Sequence, residues 1–448
     1  MAPKEDVLAL WEKVTARAPD AELHVRRLAS SPVVFQAGAL ASARTAEITD
    51  VSLRVLAGGR VGYAVANDVA AGDELARNAL AAAALSQPAS FRFPAPGRYA
   101  EAKTFDAAVP ALAIADLIRM GEEMVAVVAE YDAGLQVDVY LEPAWSEVDL
   151  LNASGAALGR RGTYFAAQLV ATLAAEGNIT MVGESAASRR LADVDYAGVA
   201  RDVVARLRQY EKTTPCPTRA MPVVFRRGAT FALLFPLILG FNGRNVLKGS
   251  SPLRGRLGER AFDPRLSIVD DGLLDYGAAS APFDDEGVPA GARPLVEEGF
   301  VRGFLYDLRT AAEAGAAPTG NGFKSANAGG ANPNPPPGVA GTNWRVAPGD
   351  KPLAAILADL DEALVVDDLI GVGMGNVIGG EFSASVSTGV LYRRGEPVGR
   401  VKDAMVAGNV YELLRDRLIA LDDHVESRDG ELFVPAVVLD GVGVVGQG

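Results

Sequence analysis

The sequence predicts an α+β fold: an N-terminal α/β sandwich-like region of antiparallel hairpins and helices, then a β-rich C-terminal domain. Three observations lead there. An order of helix, hairpins and helix occurs twice before residue 212, and its strands alternate apolar and polar side chains. Past residue 222 the chain turns glycine-rich, with long β-type runs. With 448 residues, 49% of them hydrophobic and 22% charged, the chain can bury a large core and divides into about two or three domains.

Taken in order, Val7, Leu10, Trp11 and Val14 recur at the spacing of an amphipathic helix over 5–17. Val51, Leu53 and Val55 alternate with Ser52 and Arg54, and Gly58-Gly59 turns the chain into a second strand, 60–66. Glycines accept the positive φ of a tight turn, so this pair reads as a hairpin. An alanine-rich helix over 71–85 closes the first unit, about 1–87, and Pro88, Pro94, Pro96 and Pro110 mark 87–112 as a connecting loop. The second unit, 111–212, opens with Ile114, Leu117, Ile118, Gly121, Met124, Val125 and Val128 on one helix face. Leu135, Val137, Val139 and Leu141 then alternate with polar residues as a half-buried strand. Two or three strand-like runs lie between 145 and 185, and a helix over 195–210 ends the N-terminal domain, 1–212.

The proline-rich stretch 213–222 reads as the linker to a C-terminal domain, 223–448. That domain opens with an apolar run from Ala229 to Leu239, too short for the roughly 20 residues of a membrane span. It reads as a buried helix with Thr230 near its start and Gly240 as a stop signal; Pro236 fits such a helix near its first turn or at a kink. The Gly-, Asn- and Pro-dense loop 316–342, which includes Pro335, Pro336 and Pro337, reads as functional or disordered.

Composition narrows the function. The formal net charge of −13, from 43 basic and 56 acidic residues, works against binding nucleic acid or anionic membranes. One cysteine, Cys216, rules out an intramolecular disulfide framework and suits the cytoplasm. Between two prolines and far in sequence from either histidine, it reads as an inert thiol. His24 lies in a strand-like alternation as a wet-face residue, and His424 in an acidic, solvated loop, Asp422 to Gly430. Asp284, Asp285 and Glu286 read as an acidic turn rather than metal ligands. The glycines of 371–380 fit neither a dinucleotide fingerprint nor a P-loop; they permit tight turns or close backbone approach. The basic residues Arg244, Lys248, Arg254, Arg256, Arg260 and Arg265 read as a solvated loop, with an anion or partner-carboxylate site as the alternative.

Several motifs together resemble the PmbA/TldD family. They are Pro282-Phe-Asp-Asp-Glu-Gly-Val288, Glu297-Glu-Gly-Phe-Val-Arg-Gly303 with Asn343-Trp344, and Gly380-Glu-Phe-Ser-Ala-Ser-Val-Ser-Thr-Gly389 leading through Gly395-Glu-Pro-Val398 to Val406-Ala-Gly-Asn-Val410. In the N-terminal half, Val51 to Ala64 fits as well, so the likeness runs from about residue 20 to the end. It implies the family's fold and a choice between two arms: TldD-type zinc metallopeptidases with a His-Glu-x-x-x-His helix and a cysteine ligand, and PmbA (TldE)-type chains without them. The resemblance puts the zinc histidines at Phe235 and Gly240 and the glutamate at Pro236, and no cysteine follows Cys216.

The implied function is therefore the non-catalytic subunit of a heterodimeric TldD/TldE-type zinc peptidase acting on small or unstructured peptides. No catalytic or metal residue is expected in this chain; the zinc is expected in a TldD-type partner. Arg244, Lys248, Arg254, Asn343 and Trp344 are candidate substrate or partner contacts. The stretch Asn332 to Val339 reads as an insertion relative to the family. A homodimeric, gyrase-modulator-like binding protein and a hydrolase using carboxylates around His424 are the alternatives.

Overall fold

A computed structural model of the chain describes residues 2–175, 178–324 and 335–446. The N-terminal part is one antiparallel sheet with four helices on one face. Helix α1 (Glu5–Thr15) is followed by β1 (Ala21–Ser30), β2 (Val33–Gln36), β3 (Ala39–Ala43), β4 (Ala46–Ala57), β5 (Arg60–Ala66) and α2 (Gly72–Leu85). Then come α3 (Ile114–Tyr131), β6 (Gln136–Asn152), β7 (Ala157–Ala175), β8 (Asn178–Ser188) and α4 (Tyr196–Gln209). Strand β6 is the spine. One edge pairs with β7 along nearly its whole length, and the other pairs first with β2 and then with β1. The sheet continues from β1 to β4 to β5 on one side and from β7 to β8 on the other.

The period of two sorts the strands. Leu23 and Val25 of β1 and Val51, Leu53 and Val55 of β4 turn under α1 and α2 into one apolar cluster. Val137, Val139 and Leu141 of β6 turn under α3 and α4 into another. On α3 the buried residues are Leu117, Met120, Gly121, Met124 and Val128, one helical stripe; Ile114, expected on that face, is 38% exposed at the first turn. Leu117, Met124 and Val128 are fully enclosed, each worth roughly 1.5–3 kcal/mol of transfer free energy. Helix α4 starts where Asp195 accepts from the Gly198 N–H at 2.7 Å, satisfying a first-turn donor.

The C-terminal part contains β9 (Arg219–Phe225), α5 (Phe231–Phe241), α6 (Gly243–Lys248), β10 (Ile268–Asp271), β11 (Ala292–Glu297), β12 (Phe300–Val301) and α7 (Leu308–Ala314). After these come β13 (Gly322–Phe323), β14 (Gly338–Val339), β15 (Trp344–Val346), α8 (Leu353–Ala358) and β16 (Ala363–Ile370). The chain ends with β17 (Glu381–Arg393), β18 (Glu396–Arg400), β19 (Met405–Asn409), α9 (Val410–Asp416), β20 (Leu418–Arg428) and β21 (Leu432–Val445). Pairings run β9–β16–β17–β19–β21 and back to β9, so five strands close a ring. Inside it Phe225, Val366, Phe382, Val406 and Leu439 pack with Leu233, Leu237 and Phe241 of α5. The ring's outer side takes α8 against Val224, Val365 and Val438. From β21 the sheet extends through β15, β10, β11 and β12.

One expectation about a loop changes. The acidic segment around His424 is not a loop: 418–428 is strand β20, hydrogen-bonded to β21, with His424 exposed on it. Of the glycine-, asparagine- and proline-rich loop 316–342, the described parts hold the short β13–β14 pair, and residues 325–334, including Asn332 to Asn334, lie outside the described residues.

The wet-face reading of His24 is also overturned. The sheet face opposite the helices is covered by the turn at 282–288, so its polar residues are buried rather than wet. Arg54 lies 5% exposed, with both Glu22 oxygens at 2.9 Å and Glu286 Oε1 at 2.5 Å. Phe91 and Phe93, from the long connecting loop, cover its guanidinium at 5.3 and 5.5 Å. His24, 4% exposed, donates from Nε2 to Asp285 Oδ1 at 3.1 Å. Asp285 also pairs with Arg160 and accepts the Lys324 N–H at 2.8 Å, while Lys324 Nζ donates to Ser52. Asp284, Asp285 and Glu286 do form a turn, but a buried one that ties the two sheets together.

Burial pulls the His24 imidazole down to about 4 from an ordinary 6.5, assisted by the Lys324 charge. The folded protein thus keeps His24 neutral where an unfolded chain binds a proton. Its contribution to stability is complete above pH 6.5 and is lost as pH falls towards 4. Comparing urea unfolding of wild type and His24→Gln from pH 7 to pH 4.5 should show the wild type's advantage shrinking by about 2–3 kcal/mol as the pH falls. A gap that stays constant across that range would contradict the buried, neutral imidazole.

Candidate functional site

Helix α5 follows a 3-10 turn over Arg227–Thr230 and is apolar on nearly every side. Pro236 sits at its sixth residue, past the first turn where proline is tolerated best, and leaves the Ala232 carbonyl without its ordinary i+4 donor. The Phe235 ring is half-buried and stacks on Phe231 with centroids 5.0 Å apart and planes 15° apart; Arg428 covers the Phe231 ring at 4.9 Å. Gly240 is buried one turn further on, inside the helix, which runs on to Phe241 and is not stopped by this glycine as expected. Any Cβ there would overlap the Tyr411 hydroxyl oxygen, which donates to the Pro236 carbonyl at 3.0 Å.

Tyr411 reaches this position from α9, whose start is capped by Asn409 accepting from the Tyr411 N–H at 3.0 Å and the Glu412 N–H at 3.3 Å. Its ring also lies against Gly380, where φ is +89° and a side chain would collide with the ring. Burial holds the Tyr411 phenol above its ordinary range, so it stays a neutral donor. Gly240 and Gly380 are therefore both required by one tyrosine. The expectation that glycines of 371–380 serve turns or close approach is met at Gly371, Gly375 and Gly380, all with positive φ.

The positions where the resemblance places zinc ligands hold a phenyl ring, a proline and a glycine whose space is filled. None presents a donor atom to a cation. Among the described residues no group of three or more His, Cys, Asp or Glu could hold a metal ion. Cys216 is buried and its thiol is pushed up by burial. A zinc ion does not fit this place in this chain.

Polar groups converge elsewhere. A cleft of about 910 Å³ opens between β8 and α4 on one wall and β16, β20 and the Arg227 turn on the other. Along its floor Arg206 pairs with Glu184 at 2.9 Å, Arg227 pairs with the same Glu184, and Arg226 pairs with Glu426 at 2.9 Å. Asp367, whose side chain is 6% exposed, accepts from Tyr210 at 3.1 Å and lies 3.4 Å from Arg226 Nε. Burial holds Glu184 above the usual carboxylate range despite both arginines. For Arg206 burial works downward, but Tyr210, Asp367 and Glu184 outweigh it and raise the guanidinium. Arg227 has φ of 49°, a left-handed backbone held while its N–H donates to Glu426 at 3.0 Å.

The residues singled out from sequence do not meet at one place. Arg244 and Lys248 are exposed on α6, and Arg254 is exposed after it; among the described residues none of the three has a carboxylate partner. Arg256 and Arg265 pair with Glu259 and Asp263. Asn343 and Trp344 are 0% and 1% exposed. Asn343 donates to the Asp271 carbonyl and to Ser280, and Trp344 packs edge-on to Phe241, so both side chains are built into the core. Sequence reading missed Glu184, Arg206, Arg226, Arg227 and Asp367. A signal was present: Arg226-Arg227 and Asp367-Asp368 each follow an apolar run, Val223 to Phe225 and Ala363 to Val366.

Comparison with known proteins follows this geometry. The family description "PmbA/TldA metallopeptidase C-terminal domain" matches residues 218–446, and "PmbA/TldA metallopeptidase domain 1" matches 21–83. A protein named metalloprotease PmbA homolog from Haemophilus influenzae is 28% identical over 249 residues, 55% of this chain and 50% of that one. A metalloprotease TldD homolog from the same organism is 30% identical over 200 residues, 44% of this chain and 40% of that one. The matched region thus spans half or less of these curated relatives. The crystal structure titled TldE from Thermococcus kodakarensis shares the fold, with a TM-score of 0.89, 22% identity, and coverage of 98% of this chain and 100% of that one.

A double-mutant cycle tests the Tyr411 contact. Gly240→Ala should cost about 1–3 kcal/mol by overpacking, and Tyr411→Phe about 1 kcal/mol for the lost hydrogen bond. With the hydroxyl gone, alanine at 240 meets its next neighbour at 3.3 Å and gains helix propensity. Its cost should then fall below about 1 kcal/mol. Additive costs in urea unfolding would show that the hydroxyl does not fill this space.

Proposed function

We propose, from the premise that the chain belongs to the PmbA/TldD metallopeptidase family, that it is the non-catalytic subunit of a heterodimeric TldD/TldE-type zinc peptidase acting on small or unstructured peptides. Its curated relatives carry both names, PmbA and TldD, so the names do not select an arm. Helix α5 does. Metal-assisted hydrolysis needs an ion to polarise the carbonyl and a base to activate water. The observation that carries the reading is that Tyr411 occupies the space beside Gly240, next to Phe235 and Pro236, leaving neither a ligand nor a base on that helix.

In this reading the zinc and the general base are the partner's, and the complex works in the cytoplasm. This chain contributes surface: it closes the reaction chamber, buries partner area and lines the path of the peptide. The uncompensated charges of Arg244, Lys248 and Arg254 suit contact with carboxylates of such a partner. No helix among the described residues is long and apolar enough to cross a membrane.

Purified alone, the chain should carry substoichiometric zinc and leave a casein-like peptide intact. Mixed with a TldD-type chain bearing an intact His-Glu-x-x-x-His helix, it should co-elute in size-exclusion chromatography and raise peptide cleavage above that of the partner alone. Stoichiometric zinc in the lone chain, or cleavage by it, would overturn the reading.

A further inference from the structure

We propose that the cleft between the two sheets binds an extended peptide through its lysine or arginine side chains, with Asp202 and Asp368 receiving the cation. The inference rests on the reading of this chain as a subunit that lines the peptide's path. Carboxylates outnumber arginines two to one among the lining residues. The arginines are already occupied: Arg206 and Arg227 by Glu184, Arg201 by Asp195 at 2.8 Å, and Arg428 by the Gly228 carbonyl at 2.9 Å.

One carboxylate is left over and a second is only loosely paired. Asp368 is exposed and, among the described residues, accepts only from the Leu369 N–H at 3.0 Å, with no cation beside it. Asp202 is 55% exposed and its nearest guanidinium, Arg227, is 3.9 Å away. The two acids flank the Arg227–Gly228 turn, one from α4 and one from β16, so each sheet contributes one side of the site. Below them the Asp367 side chain, 6% exposed, lines the same cleft; its Oδ1 accepts no hydrogen bond and is paired with Arg226 Nε at 3.4 Å and Arg227 Nε at 3.8 Å. The uncompensated charge of the cleft is negative, and its natural counterpart is an ammonium or guanidinium.

The walls favour a peptide over a free polyamine. Met181 and Ile370, 55% and 63% exposed, line the cleft with Val170 and suit the methylene stem of a long basic side chain. Strand β8 pairs only with β7 among the described strands. Its Gly183 carbonyl points away from β7, where Arg206 donates to it at 2.7 Å. By the period of two, the peptide groups of Met181 and Ser185 turn the same way, towards the cleft. An extended backbone can lie along this edge while its basic side chains enter.

The test uses the full chain and a labelled disordered peptide carrying several lysines and arginines, with a matched peptide bearing glutamine at those positions. In fluorescence anisotropy the basic peptide should bind more tightly, and 0.5 M salt should weaken it. Asp202→Asn with Asp368→Asn should weaken that binding about tenfold and leave the glutamine peptide unchanged. Asp361→Asn, an exposed acid far from the cleft lining, should change neither. Both cleft acids are exposed, so the variants should melt with the wild type.

Equal binding of the two peptides, an unaffected double variant, or spermidine binding that no peptide displaces would overturn the proposal. Each protein is also assayed for cleavage with a TldD-type partner. Stimulation of the partner without selectivity for basic peptides would defeat this inference and leave the subunit reading standing. Cleavage by the lone chain would defeat the subunit reading itself, whatever the binding constants.

Discussion

The arrangement of the molecule depends on one buried cation. Arg54 lies on the inner face of the N-terminal sheet, and its charge has to be neutralised where water does not reach. Glu22 supplies one partner from the neighbouring strand, and Glu286 supplies the other from the C-terminal part. Truncating one partner of such a group costs about 3–5 kcal/mol, because a charge is then left buried and unpaired. The sheets therefore cannot slide over one another without losing Glu286 from Arg54 and Asp285 from His24 and Arg160 together. Burial holds Glu286, 1% exposed, above the usual carboxylate range even with Arg54 beside it. A seam of this kind is a poor source of net stability and a good source of orientation, since apolar contacts alone would accept many alignments.

That orientation creates the cleft. Its walls belong to different sheets, and the ion pairs across its floor join them: Arg227 to Glu184, and Arg206, from α4, towards Asp367 on β16 at 3.8 Å. The same orientation leaves α5 free to act as a structural plug of the five-stranded ring. A helix that is apolar all round belongs in a core, and here it is held by an aromatic ring wedged against two glycines. Fold and chemistry separate at this point. The ring of strands needs a helix of this shape, and nothing in its packing demands ligands on it.

Much of this was legible in the sequence. The alternations around Val51 to Ala66 and Val137 to Leu141, the stripe on 114–131 and the apolar run at 229–239 all became the expected elements, because each pattern has one way to bury its apolar side. The family motifs were legible too, as was the absence of ligands at 235, 236 and 240. What was hidden depended on the second face of a sheet. Glu22, His24, Ser52 and Arg54 alternate with apolar residues as a solvated face would, and only the turn at 282–288 coming down on them makes them buried. Asn343 and Trp344 stood out as a motif, but a motif marks a requirement without saying whether it is chemical or structural. Here both side chains are enclosed in the core. The pairs Arg226-Arg227 and Asp367-Asp368 carried no sequence-local reason to meet; they meet because β9 and β16 are parallel neighbours that set Phe225 beside Val366, the residue before each pair.

That parallel pairing explains why the Arg227 turn is strained. Strand β9 has to leave the ring and enter α5 within a few residues, while the carboxylates of Asp367 and Asp368 arrive beside it. A left-handed backbone at a residue other than glycine costs on the order of 1–3 kcal/mol. Gly228, the next residue, would take that conformation freely, yet the positive φ falls on Arg227. Moving it by one residue would redirect the guanidinium away from Glu184 and the N–H away from Glu426. The strain is thus held in place by an ion pair to one wall of the cleft and a backbone hydrogen bond to the other. Any ligand that competes for Glu184 or Glu426 would weaken what holds the turn, and the turn is the first residue pair of the segment leading into α5. The cleft and the plugged helix are in this sense one mechanical unit, joined through a single dipeptide.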